Sequence, residues 1–219
     1  MVPFLRGTTG RSSVRLPLFP LDAVLFPGGR LPLRIFEQRY IGMAKACLRD
    51  ALPFGVCRIT RGEEVATPEA PAAIPEFAAI GTLATIRAWE MPQLGILHVT
   101  AQGGARFRVR SHAVQADGLI VAEATPLADE PLVASGDAHR PLAQLLELLV
   151  ERIGSAHFPD ERSFDDASWV GFRLAELLPL PLSIKQTMLE MNDAEVRLVV
   201  LRRFLEQHGL LQPPGDGRL

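Results

Sequence analysis

Along residues 15–40 the chain alternates short apolar runs with turn chemistry and then changes period. Leu16 to Phe19 and Leu31 to Ile35 are apolar runs, each interrupted by a proline, and Pro27-Gly28-Gly29 lies between them. A proline inside a strand removes a ladder donor, which suits edge or bulged strands. After Ile35, Phe36 and Tyr40 stand four apart with Glu37, Gln38 and Arg39 between them, as on the first turn of an amphipathic helix. The pattern predicts a strand, a turn, a strand and a helix running from about Glu37 to Asp50. Further strands are expected at Phe54 to Thr60, Ala79 to Trp89, Leu94 to Ala101, Ala105 to Arg110 and Leu119 to Thr125, separated by Gly-, Pro- and Asp-containing turns. Ile80, Leu83 and Ile86 break strict alternation, which predicts a bulge near Gly81, and Met91 to Gly95 reads as a turn between antiparallel strands. So many short strands leave exposed edges unless the sheet closes into a barrel.

From Pro141 the period becomes helical, with Leu142, Leu145, Leu146, Leu149 and Ile153 on one face. A second helix is expected near Asp165, carrying Trp169, Phe172 and Leu177. Ser183-Ile184-Lys185-Gln186 reads as a capping box opening a third, and Asn192 followed by Glu195 as the cap of a fourth that runs to about His208. Short connections favour antiparallel neighbours, hence a small helical bundle packed on one end of the barrel. The expected units are a β-rich part over 12–128, a helical bundle over 138–209 and a disordered tail over 210–219. Thr67 to Pro75, rich in proline and alanine, reads as an exposed excursion.

Composition narrows the function classes. The chain has 219 residues, 47% hydrophobic and 22% charged, enough for a sizeable core. A net charge of −2 predicts no strong electrostatic partner. The start, Met1-Val2-Pro3-Phe4-Leu5-Arg6, lacks the apolar core of a signal peptide, and no apolar run is long enough to span a bilayer, so a cytoplasmic location is expected. Cys47 and Cys57 read as buried thiols rather than a disulfide. No His or Cys pair has ligand spacing, and neither a metal nor a cofactor is expected.

Leu33-Arg34-Ile35-Phe36-Glu37-Gln38-Arg39-Tyr40, preceded by Leu16-Pro17-Leu18-Phe19-Pro20-Leu21, resembles the opening of the Lon protease N-terminal domain, with Gln38 where the family often has proline. Ile80-Gly81-Thr82-Leu83-Ala84, Gly104 to Val109, and Leu180 to Gln186 with Leu189-Glu190 look like later segments of the same domain, in the same order. The resemblance implies an α+β fold: a PUA-like β pseudo-barrel with one interposed helix, followed by a C-terminal helical bundle. It also implies protein or peptide binding, since this region of Lon helps select protein substrates and contributes to subunit assembly. The expected partners are unfolded or damaged proteins or peptides and a Lon-type protease, for a stand-alone protein that is a monomer or weak homo-oligomer. Lon's catalytic modules have no counterpart here. A phosphate-cradling loop needs G-x-x-x-x-G-K-[ST], and the only lysines, Lys45 and Lys185, lack that context. Ser183 and Lys185 are the only close serine–lysine pair, and they sit at an expected helix start. The chain is therefore expected not to be an enzyme.

Three groups of residues are candidates for a site. Arg34, Phe36, Glu37, Arg39 and Tyr40 form the strongest family motif. They read either as architecture, with Phe36 and Tyr40 pinning the helix to the barrel, or as part of a protein-binding groove. Arg106, Arg108 and Arg110 alternate with Phe107 and Val109, as on one solvated strand face; binding to phosphate, as in an RNA- or nucleotide-binding PUA-like module, and ion pairing within the fold are the alternatives. Scarce aromatics and a slightly acidic balance argue against nucleic acid. The third group is apolar loop surface, at Thr67 to Glu76 and Leu25 to Arg30, which either closes the barrel or exposes a recognition patch. Histidines 98, 112, 139, 157 and 208 are scattered, and no serine or cysteine has an activating context.

Overall fold

One strand organises the molecule. In the computed structural model, which describes residues 13–62, 74–134, 136–154, 158 and 162–211, β6 (Ile96–Val114) runs for 19 residues and pairs with three other strands. Along one edge it takes β5 (Ile80–Gln93); along the other it takes β2 (Arg30–Ile35) at residues 97–102 and then β7 (Ile120–Pro126) at residues 107–114. β1 (Val14–Leu21) lies antiparallel to β7 and parallel to β3 (Phe54–Arg61), and β3 lies antiparallel to β5, so the order β1-β7-β6-β5-β3 returns to β1 and closes a barrel. A two-residue β4 (Glu76–Phe77) extends β3.

The two strands expected at Leu94 to Ala101 and Ala105 to Arg110 are thus one. Gly103 and Gly104 do not turn the chain. The Gly28–Gly29 turn packs on the strand at Gly103: Gly28 N–H donates to the Gly103 carbonyl and Gly103 N–H to the Gly29 carbonyl, both at 2.8 Å. A side chain at 103 would overlap the Phe26 carbonyl, so glycine here serves close backbone approach. The expected irregularity of β5 is present, with register shifts between Thr82 and Ala84, Ile86 and Ala88, and Glu90 and Gln93.

Helix α1 (Gln38–Asp50) buries Tyr40, Ile41, Met43, Ala44 and Cys47 against Phe19, Phe54, Leu97, Val99 and Ala101, a core shared by the barrel and the outer half of β6. The barrel interior proper holds Leu16, Leu18, Cys57, Phe107, Ile120, Ala122 and Ala124. The helical part comprises α2 (Arg140–Ile153), α3 (Ala167–Leu177), α4 (Leu182–Glu190) and α5 (Ala194–Gln207). Its core includes Leu142, Leu146, Val170, Leu174, Met188, Leu198 and Leu201, and takes in Phe26 and Ile80 from the barrel side.

The capping expectations need correction. Pro181 occupies the N-cap of α4 without a side-chain cap bond; Gln186 is buried and donates instead to the Ile80 carbonyl at 3.0 Å and to Glu190 at 2.8 Å. Asp193, not Asn192, caps α5, accepting from Val196 N–H at 3.0 Å. Asp166 caps α3 through two backbone N–H groups. Of the tail expected over 210–219, Leu210 and Leu211 are described, with Leu210 N–H donating to the Leu205 carbonyl at 2.8 Å, while residues 212–219, residues 67–73 of the proline-rich excursion and His157 lie outside the described residues.

Candidate functional site

The family motif splits into a buried half and an exposed half. Tyr40 is buried and stacks on Phe19 with ring centroids 4.1 Å apart, which fixes α1 to β1. Glu37 accepts from Arg39, whose Nη2 lies 2.7 Å from Oε2, while Arg39 Nη1 donates to the Gly118 carbonyl at 3.1 Å and its guanidinium lies 4.6 Å from the Tyr40 ring centre. These three residues hold the strand-to-helix corner. Phe36 does not pin the helix as expected: it is 47% exposed, because it falls between the last buried position of β2 and the first helical turn. Arg34 is exposed on β2, opposite His98 of β6, which in turn stands opposite Glu90 of β5.

The three arginines of β6 do not share a solvated face. Arg106 is buried: its Nη2 lies 3.1 Å from Glu130 Oε1 and its Nη1 donates to the Leu189 carbonyl at 2.8 Å. Arg197 of α5 approaches the same carboxylate from the other side, donating from Nη1 to Oε2 at 3.0 Å and pairing with Oε1, while its guanidinium sits 3.9 Å from the centre of the Phe172 ring. Ser168 Oγ also donates to Glu130, at 2.7 Å. Loss of water lowers the Arg106 pKa, opposed by the Glu130 charge and reinforced by Arg197. The cluster fastens the barrel to the helices and leaves Arg106 committed. Arg108 is half-buried, and Arg110 is exposed with Nε donating to Thr125 Oγ1 at 3.1 Å.

The loop at 25–30 is likewise occupied with closure. Leu25 and Phe26 are buried, Phe26 meets Phe172 at 5.7 Å between ring centroids, Thr82 Oγ1 donates to the Leu25 carbonyl at 2.6 Å, and Arg173 Nη2 donates to the Pro27 carbonyl at 2.8 Å. Cys47 and Cys57 are free and buried, and desolvation pushes their thiols up to about 11 and about 12, which disfavours the thiolate that a nucleophile needs. Among the described residues no group of three or more His, Cys, Asp or Glu can hold a metal ion.

Exposed apolar surface gathers instead at the tip of the β5–β6 hairpin, which motif reading passed over. Trp89 is 59% exposed, Met91 38% and Leu94 94%. β2, the first half of β6 and the second half of β5 form a three-stranded arm projecting from the barrel. Beside Trp89 its surface dips into a shallow depression of about 510 Å³, lined by residues that include Pro32, Arg34, Glu90, His98 and Thr100. His98 Nδ1 and Glu90 Oε1 are 3.3 Å apart across it. The expected turn at Met91 to Gly95 shortens to Leu94-Gly95, and the apolar Trp89, Met91 and Leu94 around it were the sequence signal: a hairpin end that only reversed the chain would be polar. A second, more apolar cavity of about 280 Å³ lies between β1 and α1, with Leu16, Met43, Cys47 and Leu119 in its walls.

Residues 15–207 match the model of the ATP-dependent protease La (LON) substrate-binding domain. The chain is 28% identical over 198 residues to Lon protease 2 of Myxococcus xanthus, covering 88% of this chain and 23% of that protein. It is 27% identical over 201 residues to a Lon protease of Anaeromyxobacter dehalogenans, again covering 88% and 23%. It therefore spans about a quarter of the length of these relatives. Among solved structures, the Lon N-terminal domain protein from Xanthomonas campestris superposes with a TM-score of 0.71 at 34% identity, over 87% of this chain and 98% of that one. The N-terminal domain of a Mycobacterium avium complex Lon protease shares the fold at 18% identity, with a TM-score of 0.59 over 89% and 100% of the two chains.

Proposed function

Because the chain belongs to the family of Lon substrate-binding domains, we propose that it recognises protein chains without catalysing a reaction, through the open end of the β2–β6–β5 arm. The observation that carries this is the exposure of Trp89, Met91 and Leu94 together at one hairpin tip. Large apolar side chains gathered on a surface have a free-energy reason to be covered, and tryptophan is among the residues enriched as anchors of protein interfaces. Phe36 and Arg34, the exposed half of the family motif, belong to β2 of the same arm and its edge. Unfolded or damaged chains fit such a surface because they offer the apolar residues that folded proteins hide. Delivery of these chains to a Lon-type protease is the cellular role that this reading supports. The phosphate alternative is weakened by the commitment of Arg106 to Glu130.

The test is a fluorescence-anisotropy titration of the protein against a reduced, unfolded client, its folded form and a random single-stranded RNA, at low and moderate salt. Preference for the unfolded client that survives added salt is expected. Trp89→Ser and Leu94→Ser should each weaken that binding at least about tenfold, about 1.4 kcal/mol, while the urea midpoint stays at the wild-type value. Binding to RNA alone, falling steeply with salt, would overturn the reading and turn attention to Arg108 and Arg110.

A further inference from the structure

Beyond Ala84, β5 has no strand on its outer side among the described residues: β3 pairs with it only at residues 82–84, and β6 occupies the other side. The arm's second outer edge, β2, also pairs with β6 alone, but Pro32 interrupts its middle and removes a donor there. On β5 there is no proline before Pro92. Charged side chains are the usual guard of a free edge, yet here they are turned back over the sheet: Arg87 Nε donates to Gln102 of β6 at 2.7 Å, and Glu90 pairs with His98 of β6. Register shifts on both sides, between Ile86 and Ala88 and between Glu90 and Gln93, confine the regular stretch to Ala88, Trp89 and Glu90. Among the described residues no strand pairs with the main-chain groups on the outer side of this stretch, which lies beside an exposed tryptophan.

We infer that this edge of β5 takes an extended segment of a client chain as an added antiparallel or parallel strand, with Trp89 anchoring one of its side chains. The inference rests on the protein-recognition reading and specifies its substrate class. Apart from water, the partner that matches main-chain groups spaced along an edge is another extended backbone, so a helix does not fit and a folded domain fits only where it presents a free strand of its own. Alternation then sets the side-chain requirement. Every second residue of the added strand lies on the Trp89 face and gains by being apolar; the residues between lie on the face of Ala88 and Glu90, where small or basic side chains fit. The preferred client is an unfolded stretch that itself would have been a half-buried strand.

The distinguishing experiment changes the ligand and leaves the protein intact. A fluorescein-labelled nine-residue peptide alternating phenylalanine or valine with serine or lysine is titrated by anisotropy. So are two versions carrying N-methyl groups on the odd or on the even amides, and a reduced, unfolded client protein. One N-methylated phase should bind at least about tenfold more weakly than the parent and the other within about twofold, since only alternate amides face the edge. Equal binding of all three peptides would overturn the edge inference while leaving recognition through the apolar tip standing. Binding of the unfolded client without any peptide binding would do the same. Failure of both client and peptides to bind would overturn the underlying function as well.

Discussion

Glu130 shows how much a single side chain can carry here. It accepts from Ser168 and faces two buried guanidinium groups, Arg106 from β6 and Arg197 from α5, each of which also donates to backbone carbonyls at the end of α4. Replacing it by glutamine removes the carboxylate that pairs with both arginines and leaves most of their charge uncompensated in a site closed to water. Glu130→Gln should therefore destabilise the protein by about 3–5 kcal/mol, read as a lower urea midpoint at unchanged slope. Arg110→Ala, at the exposed end of the same arginine series, should shift it by no more than about 0.5 kcal/mol. Sequence alone could not separate the two arginines. Alternation places residues 106, 108 and 110 on one side of a strand, but says nothing of what covers that side, and the covering residues are supplied by α4, α5 and a connecting segment far along the chain. Tyr40, by contrast, was legible as an anchor, because a large apolar residue at the right helical phase has few other places to go.

At the scale of elements, hydrophobic period located the helices and most of the strands, and failed where glycine had more than one possible use. Gly103-Gly104 suggested a turn; the chain runs straight through, and the glycine hydrogens make room for the Phe26 carbonyl. Gly103→Ala tests that use. The added methyl group must push the 25–30 loop off the strand, and overpacking of this kind costs about 1–3 kcal/mol, whereas at a simple turn with negative φ alanine would be harmless. A thermal melt of the variant checks it, with no loss of stability counting against the close-approach argument. The helix caps failed for a related reason. Asn192 and Asp193 are adjacent and chemically equivalent as caps, and which of them faces the first turn depends on how α5 docks. The exposed hairpin tip was present in the sequence as apolar residues around Pro92, but exposure is a property of the assembled sheet.

For the whole molecule, the β-rich and helical parts share Phe26 and Ile80 within one core and the Glu130 cluster across their junction. Neither can separate without exposing that shared apolar core to water and breaking the ion pairs of Glu130 with Arg106 and Arg197. The two parts should therefore unfold together. Hydrogen exchange followed by mass spectrometry in rising urea should give one midpoint for peptides from β1 and from α5, and distinct midpoints would show that the sequence-expected units over 12–128 and 138–209 are independently stable.

Closure of the barrel also sets a timetable. β1 lies between β3 and β7, so the strand that comes first in the sheet's chain order waits for the one that comes last. The stretch from Leu21 to Pro126 must be synthesised in between; at a ribosomal rate of ~5–20 residues per second that takes on the order of 5–20 s. Throughout that interval an apolar segment containing Leu16, Leu18 and Phe19 is without its final neighbour. Pro17 and Pro20, which interrupt the segment, make it a poor template for stray strands during the wait.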